Sequence, residues 1–384
     1  MQKPVQKSGN EFGFSKNPDD DSQLARAAAV AVNEVLKVRK GERFLIVTNP
    51  SPDVSVISQA LYRAAAEAGA AAAAVYQPVK TQVEFTDPAV TAAIATEPDV
   101  VVSMSAEKIG KDEEHIKNPL KADGKTYNHI YHYLLDGAKR IRSFWSPGIN
   151  IDHFKKTVPV DYKRMKEECR RVGAFLDRAE SIHITNPNGT DIRFGVHGRK
   201  AFVDDGDFSK PGLGGNLPAG ESFISPALGT AEGTIVFDGS ISVYNGVIVL
   251  DNPVTARVSG GFVTKVEGKS EADEFEASLR VGEEKARQFE KEGIIPRGEG
   301  EAYARNARNL GELGIGLNPA AAIVGNMLVD EKVYKTCHIA VGSNYDDDAD
   351  ALIHLDGLIT EPTIEIEDAT GKRETILDRG NLQI

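Results

Sequence analysis

Between residue 21 and about residue 105 the apolar positions alternate between two periods. "SQLARAAAVAVNEVLKV", residues 22–38, repeats its apolar residues at helical spacing, and either Asp21 or Ser22 is suited to cap it. "GERFLIVTN" is a short apolar run of strand length. "VSVISQALYRAAAEAG" is helical again, with Gly69 as its stop. "AAAAVYQPV" predicts a weaker strand, since its alanines equally suit a longer helix. "PAVTAAIATE" predicts a helix, and "PDVVVSMSA" a buried strand. This alternation of strand and helix predicts a parallel sheet covered by helices.

The pattern then changes. Residues 106–128 are polar and charged and read as a surface insertion. A long helix is expected over "VDYKRMKEECRRVGAFLDRA", residues 160–179. Beyond it, "SIHITNPNGTDIRFGVHG" has the Asn-Gly turn of a hairpin. Residues 233–268 are short strands separated by Asp-Gly, Asn-Gly and Gly-Gly turns. One more helix, "EADEFEASLRVGEEKARQFEKEG", interrupts the strands. The fold class expected is an α/β N-terminal domain with a parallel sheet, followed by a β-rich α+β C-terminal catalytic domain. The expected limits are a flexible arm over 1–20, the α/β domain over 21–180 and the β-rich domain over 181–384. No internal repeat is visible.

Charge and composition narrow the function classes. A net charge of −12 with no basic run argues against a nucleic-acid partner. No apolar stretch approaches the ~20 residues of a membrane span, and the first residues lack the apolar core of a signal peptide. The two cysteines, Cys169 and Cys337, lack zinc-site spacing and suit a reducing compartment. The expectation is a soluble cytoplasmic protein without a membrane partner. No glycine-rich phosphate loop follows any predicted strand.

Candidate chemistry begins in "ALIHLDGLI", residues 351–359. In a strand, His354 and Asp356 face the same side. A buried carboxylate needs compensation, by a hydrogen bond, a basic side chain or a metal ion. Upstream, "KTCHIAVG" carries His338, with Cys337 on the opposite face. Glu221 in "NLPAGESF" and Glu312 in "NLGELGIGLNP" stand in apolar company, though each alone reads equally as a surface residue. The run Asp346 to Asp348 reads as a solvated loop, or as a carboxylate set for an amine. Arg199 reads as a surface residue, or as a partner for a carboxylate. His183 and His197 read as structural, and His115, His129, His132 and His153 show no ligand spacing.

Taken together, "NLPAGE", "GELGIGLNP", "KTCHIAVGSNY" and "HLDGLI", in this order, resemble the metalloaminopeptidase family of aminopeptidase T and aminopeptidase S. "NPNGTDIRF" and "EGTIVFDGSI" agree, so the resemblance covers roughly residues 180–384. It implies two divalent ions, Zn, Co or Mn, held by Glu221, Glu312, His338, His354 and Asp356. It implies a catalytic role for Tyr345, and a proton shuttle at Glu312 or Glu221. A metal-activated water would then cleave the N-terminal bond of a peptide or another small amide, in a homodimer. Pyridine-ring-cleaving dioxygenases are similar to the same scaffold. They imply one Fe(II) held by two imidazoles and a carboxylate, here His338, His354 and Asp356. The two glutamates favour the aminopeptidase, because a single iron needs no second pair of carboxylates. A non-catalytic binding protein would hold no metal.

Overall fold

The computed structural model describes residues 21–81 and 84–384; the expected arm over 1–20 lies outside them. By its internal contacts the chain divides into two units. One comprises residues 1–159 and 207–217, the other residues 160–206 and 218–384. Helix Tyr162–Leu176, after which the sequence changes texture, groups with the second unit.

In the first unit five parallel strands run in the order Gly214–Asn216, Arg142–Trp145, Val100–Met104, Arg43–Thr48, Ala71–Tyr76. Phe44 and Ile46 bury one face of the central strand and Leu45 and Val47 the other, which explains why "RFLIVT" shows no alternation. Leu45, Val47 and Val101 pack with Val90 and Ile94 of helix Pro88–Ala95 and with Leu134 and Leu135. The alanine run does form a strand, but at the sheet edge and largely exposed, so its weak pattern reflects its place. Asp21 is the cap of the first helix, accepting from the amides of Gln23 and Leu24. That helix is α-helical only over Ser22–Val30 and widens into a π-helical turn over Ala31–Val35.

The stretch read as a surface insertion is a short helix, Glu113–Lys117, and a small hairpin of Leu120–Ala122 with Lys125–Tyr127. It is not wholly superficial. Asp112 is buried, accepts from the Ile130 amide at 3.0 Å and meets His115 Nδ1 at 2.6 Å.

The second unit is β-rich, with two antiparallel sheets. The eight-stranded sheet contains the expected hairpin, Ala179–Thr185 paired with Asp191–Gly195. His183 is structural within it, bonded to Asp191 at 2.7 Å. The seven-stranded sheet runs Gly246–Val249, Ser240–Val243, His354–Thr360, Thr336–Gly342, Leu310–Gly316, Glu221–Ile224, Phe202–Asp204. It carries the acidic and imidazole candidates. Among the described residues, no helix is long and apolar enough to cross a membrane.

Candidate metal centre

Strand register assembles the site. His338 pairs with Gly314 on one side and Leu358 on the other. Ala340 lies between Glu312 and Asp356, and Gly342 opposes His354. Glu221 lies between Gly316 and Asp204. Since side chains alternate along a strand, Asp204, Glu221, Glu312, His338, His354 and Asp356 share one face of the sheet.

Small residues give those side chains room. A Cβ on Gly314 would collide with the His338 ring, so the imidazole lies across the neighbouring strand where glycine leaves space. The register slips by one residue between Leu310 and Glu312, a bulge of the kind that re-aims a side chain. Gly220, at φ +118°, turns the chain into the Glu221 strand, and a Cβ there would meet the Asn318 backbone nitrogen at 3.0 Å. The same strand is pinned from helix Tyr162–Leu176, where the Cys169 carbonyl accepts from the Ser222 hydroxyl at 2.7 Å.

His338 Nε2 lies 3.1 Å from Glu312 Oε1 and 3.7 Å from Glu221 Oε2. His354 Nε2 lies 3.3 Å from both Glu312 Oε2 and Asp356 Oδ1. Glu221, Glu312, His338 and Asp356 are all buried. Asp356 Oδ1 and Glu221 Oε2 have no hydrogen-bond donor, an expensive condition for buried carboxylate oxygens that a cation would relieve. Among the described residues three sets of side chains could hold a metal: Glu221, Glu312 and His338; Glu312, His354 and Asp356; Glu331, His338 and Asp356. They share members and form one cluster. None contains both imidazoles; Glu312 stands with His354 and Asp356 in one set and with His338 and Glu221 in another.

Burial would raise the Glu312 pKa, but hydrogen bonds from His338 and His354 outweigh it and hold this carboxyl at about 2. Burial works against a charged His338, yet its bond to Glu312 and the carboxylates around it raise it to about 9. Burial likewise opposes a charged His354, and Asp356 and Glu312 lift it well above the usual imidazole range. Burial pushes Glu221 up to about 7, with Lys332 pulling the other way.

Lys332 is a member of the site that sequence reasoning missed. It has 0% exposure and meets Glu221 Oε1 and Glu331 Oε1 at 2.5 Å each, with Asp204 Oδ2 at 3.9 Å. In "VDEKVYK" it looks like one more surface lysine; the only signal was the glycine at 316, whose bare Cα lets the Lys332 backbone cross. Tyr345 lies edge-on to His354, ring centroids 5.4 Å apart. Half its surface is open (51%), but protein packed around the hydroxyl, with Glu312 and Asp356 adding to it, raises its pKa well above that of a free phenol. Of the two readings of Arg199, the carboxylate partner is the one the structure has: it pairs with Asp348 at 2.8 Å and approaches Asp346 at 3.7 Å. That pairing occupies part of the acidic run. His115 and His129 gather around Asp112 in the first unit, in none of the three metal-capable sets.

A family described as NicX, 2,5-dihydroxypyridine 5,6-dioxygenase, matches residues 150–340, just under half of the chain. The match includes Glu221, Glu312, Lys332 and His338 and stops before Tyr345, His354 and Asp356. A 2,5-dihydroxypyridine 5,6-dioxygenase of Pseudomonas putida KT2440 is 28% identical over 111 residues, 28% of this chain. The matched stretch spans only 32% of the length of that curated relative. Both matches carry the description of a 2,5-dihydroxypyridine 5,6-dioxygenase. The solved 2,5-dihydroxypyridine dioxygenase of P. putida KT2440 has the same fold, with a TM-score of 0.68 at 18% identity, over 96% of this chain and 98% of that one. AmpT of Thermus thermophilus shares the fold as well, with a TM-score of 0.65 at 17% identity, over 94% of this chain and 99% of that one.

These findings correct the expectation of an aminopeptidase. The family match and the curated relative are both described as dioxygenases, so the hydrolase reading with its peptide or amide substrate is not carried further. The expectation of two Zn, Co or Mn ions is corrected by the cluster itself. The triads overlap at one place, and the Lys332 ammonium already neutralises Glu221. The second pair of carboxylates is therefore no sign of a second ion.

Proposed function

We propose that the second unit carries a single-metal dioxygenase centre that opens a hydroxylated pyridine ring. The observation that carries this reading is a metal-capable triad, Glu312, His354 and Asp356, beside an aromatic wall. Phe202 and Phe223 stack with centroids 5.0 Å apart at 11°, and Tyr345 lies 5.1 Å from Phe223 and 5.4 Å from His354. Phe202 and Tyr345 are both exposed, so the wall presents aromatic surface to a flat ring.

His354 through Nε2, Asp356 through Oδ1 and Glu312 through Oε2 would hold the ion, and Fe(II) suits this mixed N/O set. Bound there, ferrous iron supplies the one-electron chemistry that lets dioxygen react with an aromatic ring. His338 orients Glu312 through its 3.1 Å contact. Glu221 keeps Oε2 free, and burial brings its pKa to about 7, so it is the group suited to take the proton of a ring hydroxyl. Tyr345 retains its proton at neutral pH and serves as a hydrogen-bond donor to a substrate oxygen. Two free, buried cysteines agree with a cytoplasmic location.

The test is oxygen uptake by the Fe(II)-loaded protein on 2,5-dihydroxypyridine, followed with the loss of the ring's ultraviolet absorbance. Uptake with ring loss is expected. No uptake on any hydroxylated pyridine, with one iron bound per chain, would overturn the reading.

A further inference from the structure

The placement of Lys332 is set by backbone, not by a flexible stem folded inward. A Cβ on Gly316 would stand 2.8 Å from the Lys332 carbonyl carbon, and the Asn318 amide donates to the Lys332 carbonyl oxygen at 2.9 Å. Two residues earlier, buried Asp330 accepts from the Val324 and Gly325 amides and the Ser240 hydroxyl, at 2.8, 3.1 and 2.7 Å. The ammonium then reaches Glu221, Glu331 and Asp204, with no exposed surface of its own. Both oxygens of Asp204 and Oε2 of Glu221 are buried without a hydrogen bond. Glu221 thus links two places: Oε1 faces Lys332, and Oε2 faces His338 Nε2 at 3.7 Å.

We propose that the Lys332 ammonium occupies the position a second divalent cation would take, and thereby holds this carboxylate-rich cluster to one ion. Asp204, Glu221 and Glu331 are oxygen donors of the kind a hard divalent cation binds. In their midst stands a fixed positive charge, and a divalent ion added beside it would meet like-charge repulsion in a desolvated setting. Without the ammonium, the buried carboxylates of Asp204 and Glu221 would lose the cation between them, the condition that a metal relieves. The inference rests on the one-ion reading above, and it does not depend on the reaction catalysed.

The experiment counts ions per chain. Wild type, Lys332→Met and the double variant Lys332→Met/Glu221→Gln are equilibrated with Mn(II), gel-filtered in the same buffer and analysed for metal, with melting temperatures taken with and without Mn(II). Wild type is expected to hold one ion and Lys332→Met two, with a larger rise in melting temperature on adding Mn(II). The double variant removes one positive and one negative charge together, and is expected to fold without metal and hold one ion. Two ions in wild type would overturn the one-ion reading itself. One ion in wild type and one in folded Lys332→Met would overturn the role given to Lys332 and leave that reading standing. Should Lys332→Met fail to fold with or without Mn(II), Lys332→Gln, which keeps a hydrogen-bond donor for Glu221 and loses the charge, is counted in its place: two ions support the role given to Lys332, and one ion overturns it.

Discussion

The Nδ1–H of His354 donates to the Ser343 carbonyl at 2.8 Å, and this leaves Nε2 facing Glu312 and Asp356. Whenever this imidazole is neutral, a backbone partner of this kind keeps the proton on Nδ1 and leaves Nε2 the lone pair a metal needs. His354→Ala or Asp356→Ala should therefore lower metal affinity by at least ~100-fold, since changing only the outer partners of metal ligands costs 10–100-fold. Metal titration of the purified variants checks it. Circular dichroism should be unchanged, because neighbouring strands hold the backbone on both sides.

Gly314 tests whether room, and not only ligand chemistry, builds the centre. Its missing side chain is what the His338 ring lies over. Gly314→Ala forces a fully buried imidazole off its contact with Glu312. Overpacking of this kind typically costs ~1–3 kcal/mol. The expected result is a lower melting temperature and weakened metal binding together. Unchanged metal affinity would show that His338 does not help to set Glu312.

The aromatic wall predicts a change in substrate binding rather than in metal binding. Phe223 contacts both Phe202 and Tyr345. Phe223→Leu keeps an apolar side chain and removes the stacking surface. Aromatic pairs contribute ~0.5–1.5 kcal/mol beyond their burial, so KM for a hydroxypyridine should rise by roughly 2- to 10-fold. Bound iron per chain should stay constant. Steady-state oxygen uptake and elemental analysis separate the two effects.

The parts of this site that sequence reading found are those governed by local rules. His354 and Asp356 share a face because strand alternation is local. Lys332 obeys no local rule. It is separated from Glu221 by 111 positions, and its burial depends on the fold bringing it over Gly316. That one cation separates the two readings of the same acidic and imidazole residues. Counting carboxylates without it favoured two metals. The strand over Ala71–Tyr76 was faint for a related reason. An edge strand buries little, so nothing selects strong apolar residues along it.

His129 ties the first unit to pH. Burial lowers its pKa from 6.5 to about 4, with the positive charge of His132 acting in the same direction and Asp112 opposing. Its Nδ1 accepts from the Tyr131 amide, and its Nε2 is buried without a hydrogen bond. The folded chain thus keeps His129 neutral at pH values where the unfolded chain protonates it. Between about pH 6.5 and pH 4 the unfolded state binds more protons, so stability falls as pH drops through that window and is fully present above it. A difference of ~2.5 pH units corresponds to ~3 kcal/mol. His129→Asn replaces the ring with a side chain that does not titrate. Urea unfolding of wild type and variant at pH 7.5 and pH 4.5 isolates the effect, since the other carboxyls titrate alike in both. Wild type should lose ~2–3 kcal/mol more than the variant between the two pH values, and equal losses would show that His129 is not held neutral by the fold.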